Sequence, residues 1–337
     1  MRVLAIVASL DDPSARFRVG QFVAPLSERG ITVETEAVPG GFRARRALFA
    51  RARGFDAVLW QRRLLPPLDA AALRSAARRL VFDFDDALPF RDSFRGASAS
   101  LARRVKFRAA LRRSDVVLAA NETLAKLARP HAREVVVVPT VVDAHGTEGA
   151  RAWGGGTTRH ASEAFVAGWV GSAATLPYLD AIRHPLEEVA RTLGSGRFRL
   201  AVVADRRPEW GEGFLDFRPF AIERERRDVA GFDAGLGPLS DDAWARGKSG
   251  LKLLLYGAEA VPAVASPVGV QSEIVRDGVT GFHARSGEEW VDRIARLARD
   301  PALARRMGLA AREAVVARYS VAAAIDLLRR ALTGIPA

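Results

Sequence analysis

Short apolar runs rich in β-branched residues alternate with helix-length stretches from one end of the chain to the other, and few architectures satisfy that alternation. In the first half the runs fall at residues 3–9, 31–37, 57–61, 80–84, 116–120 and 135–139, separated by helical stretches near 15–29, 42–53, 67–79, 100–113 and 122–131. Runs such as VVLAA and VVVVP are apolar without interruption, the pattern of a strand covered on both faces. Strands of this kind, each followed by a helix, predict a doubly wound α/β domain. The alternation resumes with strands at 165–171, 198–204, 214–220, 233–239, 263–266 and 281–284, and helices near 176–193, 251–260, from 272, from 288 and through the tail from 301. Between the two series, residues 144–163 (AHGTEGARAWGGGTTRHASE) lack apolar periodicity and read as a linker. The expected organisation is a first domain at 1–143, the linker at 144–163, and a second domain at 164–337 whose last helices pack back on the first. Two doubly wound domains facing a cleft are the expected fold, with ligands beyond the strand C-termini.

Composition excludes several functions. No apolar run approaches the roughly 20 residues of a membrane span. The opening MRVLAIVASLDDP is of secretory-signal size, but acids follow it and no small-residue cleavage site appears, so it reads as a first buried strand. With no cysteine there is no disulfide, thiolate or Cys-ligated zinc, and a cytoplasmic protein is the expectation. The five histidines form no H-E-x-x-H, and Gly-x-Ser-x-Gly is missing, which removes the metallohydrolase and serine hydrolase readings. Residues 1–143 hold 25 basic and 15 acidic side chains, residues 144–337 hold 26 and 24, so the first half faces an anionic partner or surface. Aromatics do not interleave with the basic residues and no nucleic-acid motif appears, so nucleic acid is not expected. The stretch LARRVKFRAALRR, residues 101–113, suits an interfacial helix on anionic lipid at the inner face of a membrane, or a solvated basic face.

Three constellations carry chemistry. In GKSGLKLLLYGAEAVPAVASPVG, residues 247–269, Lys248, Ser249 and Gly250 stand where a helix begins and Lys252 follows one turn after Lys248. Free N–H groups, the positive end of the helix dipole and two ammonium groups suit a diphosphate. The alternative is a solvated helix start with lysines spread over it. In VFDFDDALPF, residues 81–90, Asp83 and Asp85 share one face of a strand end and Asp86 opens the loop. They suit orienting or deprotonating a hydroxyl, or pairing with arginines, and binding a metal is the weaker version. In GWVGSAATLPYL, residues 168–179, Gly171 and Ser172 form a strand-to-helix turn that meets a phosphate or a sugar, or is simply a turn. Arg16 and Arg18, after an acidic turn, carry no specific signal.

These residues resemble glycosyltransferase family 4, retaining GT-B enzymes with two Rossmann-like domains. The strongest match runs from about residue 232 to 285, through FDAGLGPLSDD and GKSGLKLLLYGAEAVPAVASPVGVQSEIVRDGVTGF; NETLAKLARPHAREVVVVPTVVD, residues 121–143, is similar to the end of the family's first domain. FDFDDALP and GWVGS look like a subgroup with lysines in a GKxxxK pattern. The resemblance implies a nucleoside-diphosphate sugar in the second domain and a glycan, lipid-linked or small-molecule acceptor in the first, with no cofactor or metal, in cell-surface polysaccharide or glycoconjugate synthesis. Most members carry two glutamates eight residues apart, for the transferred sugar and the ribose; those positions here are Gly247 and Leu255, with Glu259 one turn beyond. The usual Arg/Lys pair after the second domain's first strand is replaced by Ser172 and Thr175. The implied donor site is Gly171, Ser172, Thr175, Lys248, Ser249, Gly250, Lys252, Gly269 and Val270, with Lys248 also stabilising the leaving phosphate and an acid among Asp83, Asp85 and Asp86 serving the acceptor. Loss of both glutamates leaves a non-catalytic sugar-nucleotide-binding protein as the alternative.

Overall fold

The computed structural model describes residues 1–94, 100–144, 164–194, 196–211 and 213–334. All of the expected linker except Ala144 lies outside the described residues. The chain divides into two compact units: Met1–Val141 with Asp242–Ser249 and Val321–Ala337, and Val142–Asp241 with Gly250–Ser320.

The first unit is built on six strands: β1 (Arg2–Val7), β2 (Thr32–Ala37), β3 (Ala57–Gln61), β4 (Leu80–Phe84), β5 (Val116–Ala119) and β6 (Val135–Val137). They pair in the order β2-β1-β3-β4-β5-β6, every pair parallel. The helices are α1 (Pro13–Arg18), α2 (Val23–Ser27), α3 (Phe42–Arg51), α4 (Pro67–Ala76), α5 (Leu101–Arg113) and α6 (Glu122–Ala128). One face of the sheet buries Ile6, Trp60, Phe82 and Phe84 against Phe49 of α3, Leu73 of α4, Phe107 of α5 and Leu124 of α6. The opposite face buries Val3, Val7, Leu59 and Val81 against Phe22 and Leu26. Side chains alternate across a strand, so a strand buried on both faces needs apolar residues on both, as in the unbroken runs over residues 3–7 and 116–119, while the half-buried edge strand β2 carries Glu34 and Glu36.

In the second unit the strands are β7 (Phe165–Val170), β8 (Phe198–Ala204), β9 (Leu215–Pro219), β10 (Ala234–Gly237), β11 (Ala263–Ala265) and β12 (Gly281–His283), parallel in the order β12-β11-β10-β7-β8-β9. Its helices are α7 (Leu176–Asp180), α8 (Arg183–Leu193), α9 (Glu225–Ala230), α10 (Leu251–Ala258), α11 (Gln271–Ile274), α12 (Gly287–Arg299) and α13 (Pro301–Arg318). Trp169, Leu200, Val202 and Leu236 pack against Leu186, Trp290, Ile294 and Met307. On the other face a Cβ at Gly235 would stand 2.2 Å from the Tyr256 ring and one at Gly168 2.0 Å from the Phe232 ring. Glycine at those two positions lets the rings lie on the strands and brings α10 down onto the sheet.

Two later segments of the chain belong to the first unit. The last helix, α14 (Val321–Thr333), buries Ile325, Leu328 and Leu332 against Val3, Val7 and Leu59, completing the open face of the first sheet. The segment Asp242–Ser249 packs there too: the Asn121 amide donates to the carbonyls of Gly247 and Lys248, both at 3.3 Å.

Candidate active site

In a doubly wound sheet, the connections leaving two adjacent strands toward opposite faces open a crevice at their C-terminal ends. The strand orders put that point between β1 and β3 in the first unit, and between β7 and β10 in the second.

At the second unit's switch point β7 ends on Val170, and Gly171 follows with no room for a side chain: a Cβ would stand 2.3 Å from the Trp169 ring. The Thr175 hydroxyl closes the turn, accepting from the Ser172 N–H and donating to the Ser172 carbonyl, both at 3.1 Å. Thr175 therefore holds Ser172 in place, and Ser172 is the exposed polar side chain of the turn. Helix α10 begins after Gly250, whose φ of 73° is left-handed and whose position caps the helix without a side chain. A Cβ there would also stand 2.4 Å from Ile274. Only glycine fits both requirements. The Lys252 ammonium, in the first turn of α10, donates to the Val170 carbonyl at 2.9 Å and lies 4.3 Å from the centre of the Trp169 ring. These contacts fix a positive charge where β7 ends and α10 begins. Gly269, left-handed at φ 55°, and Val270 lead into α11 after β11, and the Ser272 hydroxyl donates to the Gly269 carbonyl at 2.7 Å.

The first unit's switch point holds a buried ionic cluster. Arg62 follows β3 in a left-handed conformation, φ 60°, which costs a non-glycine residue about 1–2 kcal/mol. The turn directs its guanidinium to Asp12 at 3.1 Å, to the Ser14 hydroxyl at 2.9 Å and to Asp86 at 2.6 Å. Arg18, on α1, is buried and takes both oxygens of Asp83, which its Nε meets at 3.1 Å; it also donates to the Val138 carbonyl at 2.7 Å. Burial opposes its charge most, yet Asp83 and then Asp85 leave its proton held more tightly than usual. The Lys248 ammonium donates to Asp86 at 3.0 Å and lies 4.7 Å from the centre of the Trp244 ring.

The three acids of FDFDDALP therefore differ. Asp83 is the sealed partner of Arg18 and has no oxygen left for a substrate. Asp86 sits between two cations; burial pushes its carboxyl up, but Lys248 and Arg62 outweigh that and hold it below the usual range. Asp85 accepts from the Ser14 hydroxyl at 2.6 Å through one oxygen, and the other is buried without a hydrogen-bond partner. Burial, then the neighbouring Asp86 charge, push its carboxyl up to about 6. Asp85 is the acid of the three suited to exchanging a proton near neutrality.

One expectation changes. Lys248 does not start the helix beside Lys252: its backbone is extended (φ −61°, ψ 140°), it falls with Ser249 in the first unit, and its charge faces Asp86. Glu259, one turn beyond Leu255, is buried and accepts from Arg226 at 2.7 Å. Sequence reading missed Ser14 and Arg62 and left Arg18 undecided; their one readable signal is their place beyond the ends of β1 and β3. Among the described residues no group of three or more His, Asp or Glu side chains is placed to hold a metal ion.

Residues 248–314 match the family model of Glycosyl transferases group 1. No curated protein matches the chain. Among solved structures, HepE of Anabaena, determined with UDP and glucose, is 16% identical with a TM-score of 0.70 over 99% of this chain and 100% of that one. Sucrose-phosphate synthase of Thermosynechococcus elongatus is 15% identical with a TM-score of 0.73, over 98% of both chains. A glycosyltransferase of Rickettsia africae is 14% identical with a TM-score of 0.72, over 98% of this chain and 97% of that one. The fold is GT-B. Each unit is thus one of the two Rossmann-like domains of that architecture, and the matched stretch contains α10, Lys252 and the Gly269 turn.

Proposed function

We propose that this protein is a glycosyltransferase that moves a sugar from a nucleoside-diphosphate sugar to a glycan, lipid-linked or small-molecule acceptor in cell-surface polysaccharide or glycoconjugate synthesis. The observation that carries the reading is Lys252, its ammonium fixed on the Val170 carbonyl at the switch point of a GT-B second domain and inside the stretch that matches a glycosyltransferase family. Its charge and the N-terminus of α10 stabilise the diphosphate as negative charge builds on the leaving oxygen, the task a metal performs in other enzymes. The Ser172 turn and the backbone at Gly269 and Val270 hold the remainder of the donor. The bond from the acceptor oxygen to the anomeric carbon forms as the bond to the diphosphate breaks, with retention, and Asp85 of the first unit takes the hydroxyl proton. Asp86, kept ionised by Arg62 and Lys248, keeps Asp85 basic. HepE, solved with UDP and with UDP-glucose, makes a uridine nucleotide the first donor to try. The reading places the chain in the family 4 subgroup with the GKxxxK pattern, working on the cytoplasmic side in peripheral contact with anionic membrane through residues 101–113.

Thermal shift with nucleoside diphosphates and their sugar conjugates tests this, because a ligand of the folded state raises the melting temperature by mass action. A shift in the wild type that disappears in Lys252→Ala is expected; no shift with any of these ligands would remove the donor site. One observation favours a second reading, a non-catalytic nucleotide-sugar-binding protein. At Gly247, where the resembled family carries its sugar-contacting glutamate, a Cβ would stand 2.6 Å from that of Ala87, so no glutamate fits. Nucleotide binding without turnover across a broad acceptor panel would select that reading.

A further inference from the structure

Helix α5 packs Phe107, Ala110 and Leu111 into the core, yet its solvent side is also apolar in part. Leu101 and Val105 are 78% and 46% exposed, on the same outward row as Arg104, Arg108 and Arg112. The two neighbouring helices repeat the arrangement in their first turns: Phe42 of α3 is 60% exposed and Leu68 of α4 80%. In this topology each helix starts at the C-terminal edge of the strands, so Phe42, Leu68 and Leu101 stand along one rim. The Arg45–Asp69 pair at 2.7 Å ties the first turns of α3 and α4, and the Arg103 guanidinium donates to the Leu88 carbonyl at 2.8 Å, tying α5 to the loop after β4. Across α3, α4 and α5 the only acid is Asp69, buried and paired, while Arg43, Arg46, Arg104, Arg108 and Arg112 are exposed.

We infer that this rim of the first unit inserts its apolar side chains into the headgroup region of an anionic lipid bilayer, with the surrounding arginines on lipid phosphates. Large aliphatic side chains standing out of the surface in a basic ring suit a bilayer, where they leave water and the arginines meet counter-charge. A nucleic acid would leave the leucines in water. The rim lies on the same edge of the sheet as Asp85. Resting on the glycosyltransferase reading, this selects the lipid-linked class among the acceptors, with the acceptor hydroxyl delivered from the bilayer surface.

The test is co-sedimentation of the full chain with phosphatidylcholine vesicles and with vesicles that also contain phosphatidylglycerol, at physiological salt. Binding to the anionic vesicles is expected. It should fall about 10-fold in Leu68→Ser/Leu101→Ser, from lost apolar insertion, and at least about 10-fold in Arg104→Glu/Arg108→Glu, from lost charge attraction. Arg299→Glu/Arg306→Glu, on the second unit, should bind as the wild type does. All the substituted positions are exposed, and circular dichroism confirms that each variant folds. Equal binding by the leucine variant, or equal loss in the Arg299/Arg306 variant, would reveal general adsorption of a basic protein and overturn the inference, as would no binding to anionic vesicles. None of these readouts uses a sugar donor, so failure here is separable from failure of the transferase reading.

Discussion

Replacing Asp85 by asparagine should stabilise the protein, and the gain should grow with pH. Asp85 is buried among Ser14, Arg62 and Asp86, and its carboxyl is raised from 3.8 to about 6, by burial first and by Asp86 second, against the opposing pull of Arg62 and Arg18. A tenfold change in proton affinity corresponds to about 1.4 kcal/mol, so ionising this group costs the folded state about 3 kcal/mol. The sign follows from linkage. A carboxyl whose folded pKa lies above its unfolded value favours the fold fully below 3.8, and that contribution is lost as pH rises through about 6. Asparagine keeps an oxygen to accept the Ser14 hydroxyl and never ionises. The stability difference between Asp85→Asn and wild type should therefore be about 3 kcal/mol larger at pH 7.5 than below pH 4, with about half of that rise present at pH 5. Denaturation of both proteins across this range measures it, and any pH-independent offset from the amide cancels in the comparison. A difference that stays flat, or that shrinks as pH rises, would refute the account of Asp85 and with it the assignment of the acceptor's proton to that carboxylate.

Arg18→Met leaves Asp83 buried and unpaired and should cost about 3–5 kcal/mol, and adding Asp83→Leu should recover most of it, read from denaturation midpoints. Gly247→Ala brings a Cβ to 2.6 Å from Ala87 and should destabilise by about 1–3 kcal/mol, measured in the same way. Lys248→Met removes one of the two cations on Asp86, whose depressed carboxyl adds stability above about 3.8 and loses it as pH falls. The acid limb of the melting-temperature profile should therefore be shallower in Lys248→Met than in wild type.

The central strands were legible because parallel strands buried on both faces are apolar at nearly every position, and a strand forms at each of the twelve expected places, the half-buried edge strands β2 and β9 included. The helix expected over 15–29 is instead α1, a 3₁₀ turn at Gly20–Phe22 and α2; its polar and apolar positions satisfy a helix locally, but Arg18 must turn inward to Asp83. Long-range placement was legible only coarsely. The last helices were expected to return to the first domain, but the pattern of α14 does not name the face that receives it, and the answer, Val3, Val7 and Leu59, lies more than 250 residues away in sequence.

The same limit explains the site. Asp83 and Asp85 alternate on one strand end and present identical signals, yet one is sealed and the other raised toward neutrality. The difference comes from Asp86 inside the motif and from arginines outside it: Arg18 claims Asp83, while Arg62 spends its guanidinium on Asp12, Ser14 and Asp86 and approaches Asp85 no closer than 3.9 Å. A carboxyl that is buried beside an ionised neighbour and denied a close cation holds its proton more tightly than a free one. Position at a strand end thus tells where chemistry can occur, and the distribution of the arginines among the acids decides which residue performs it.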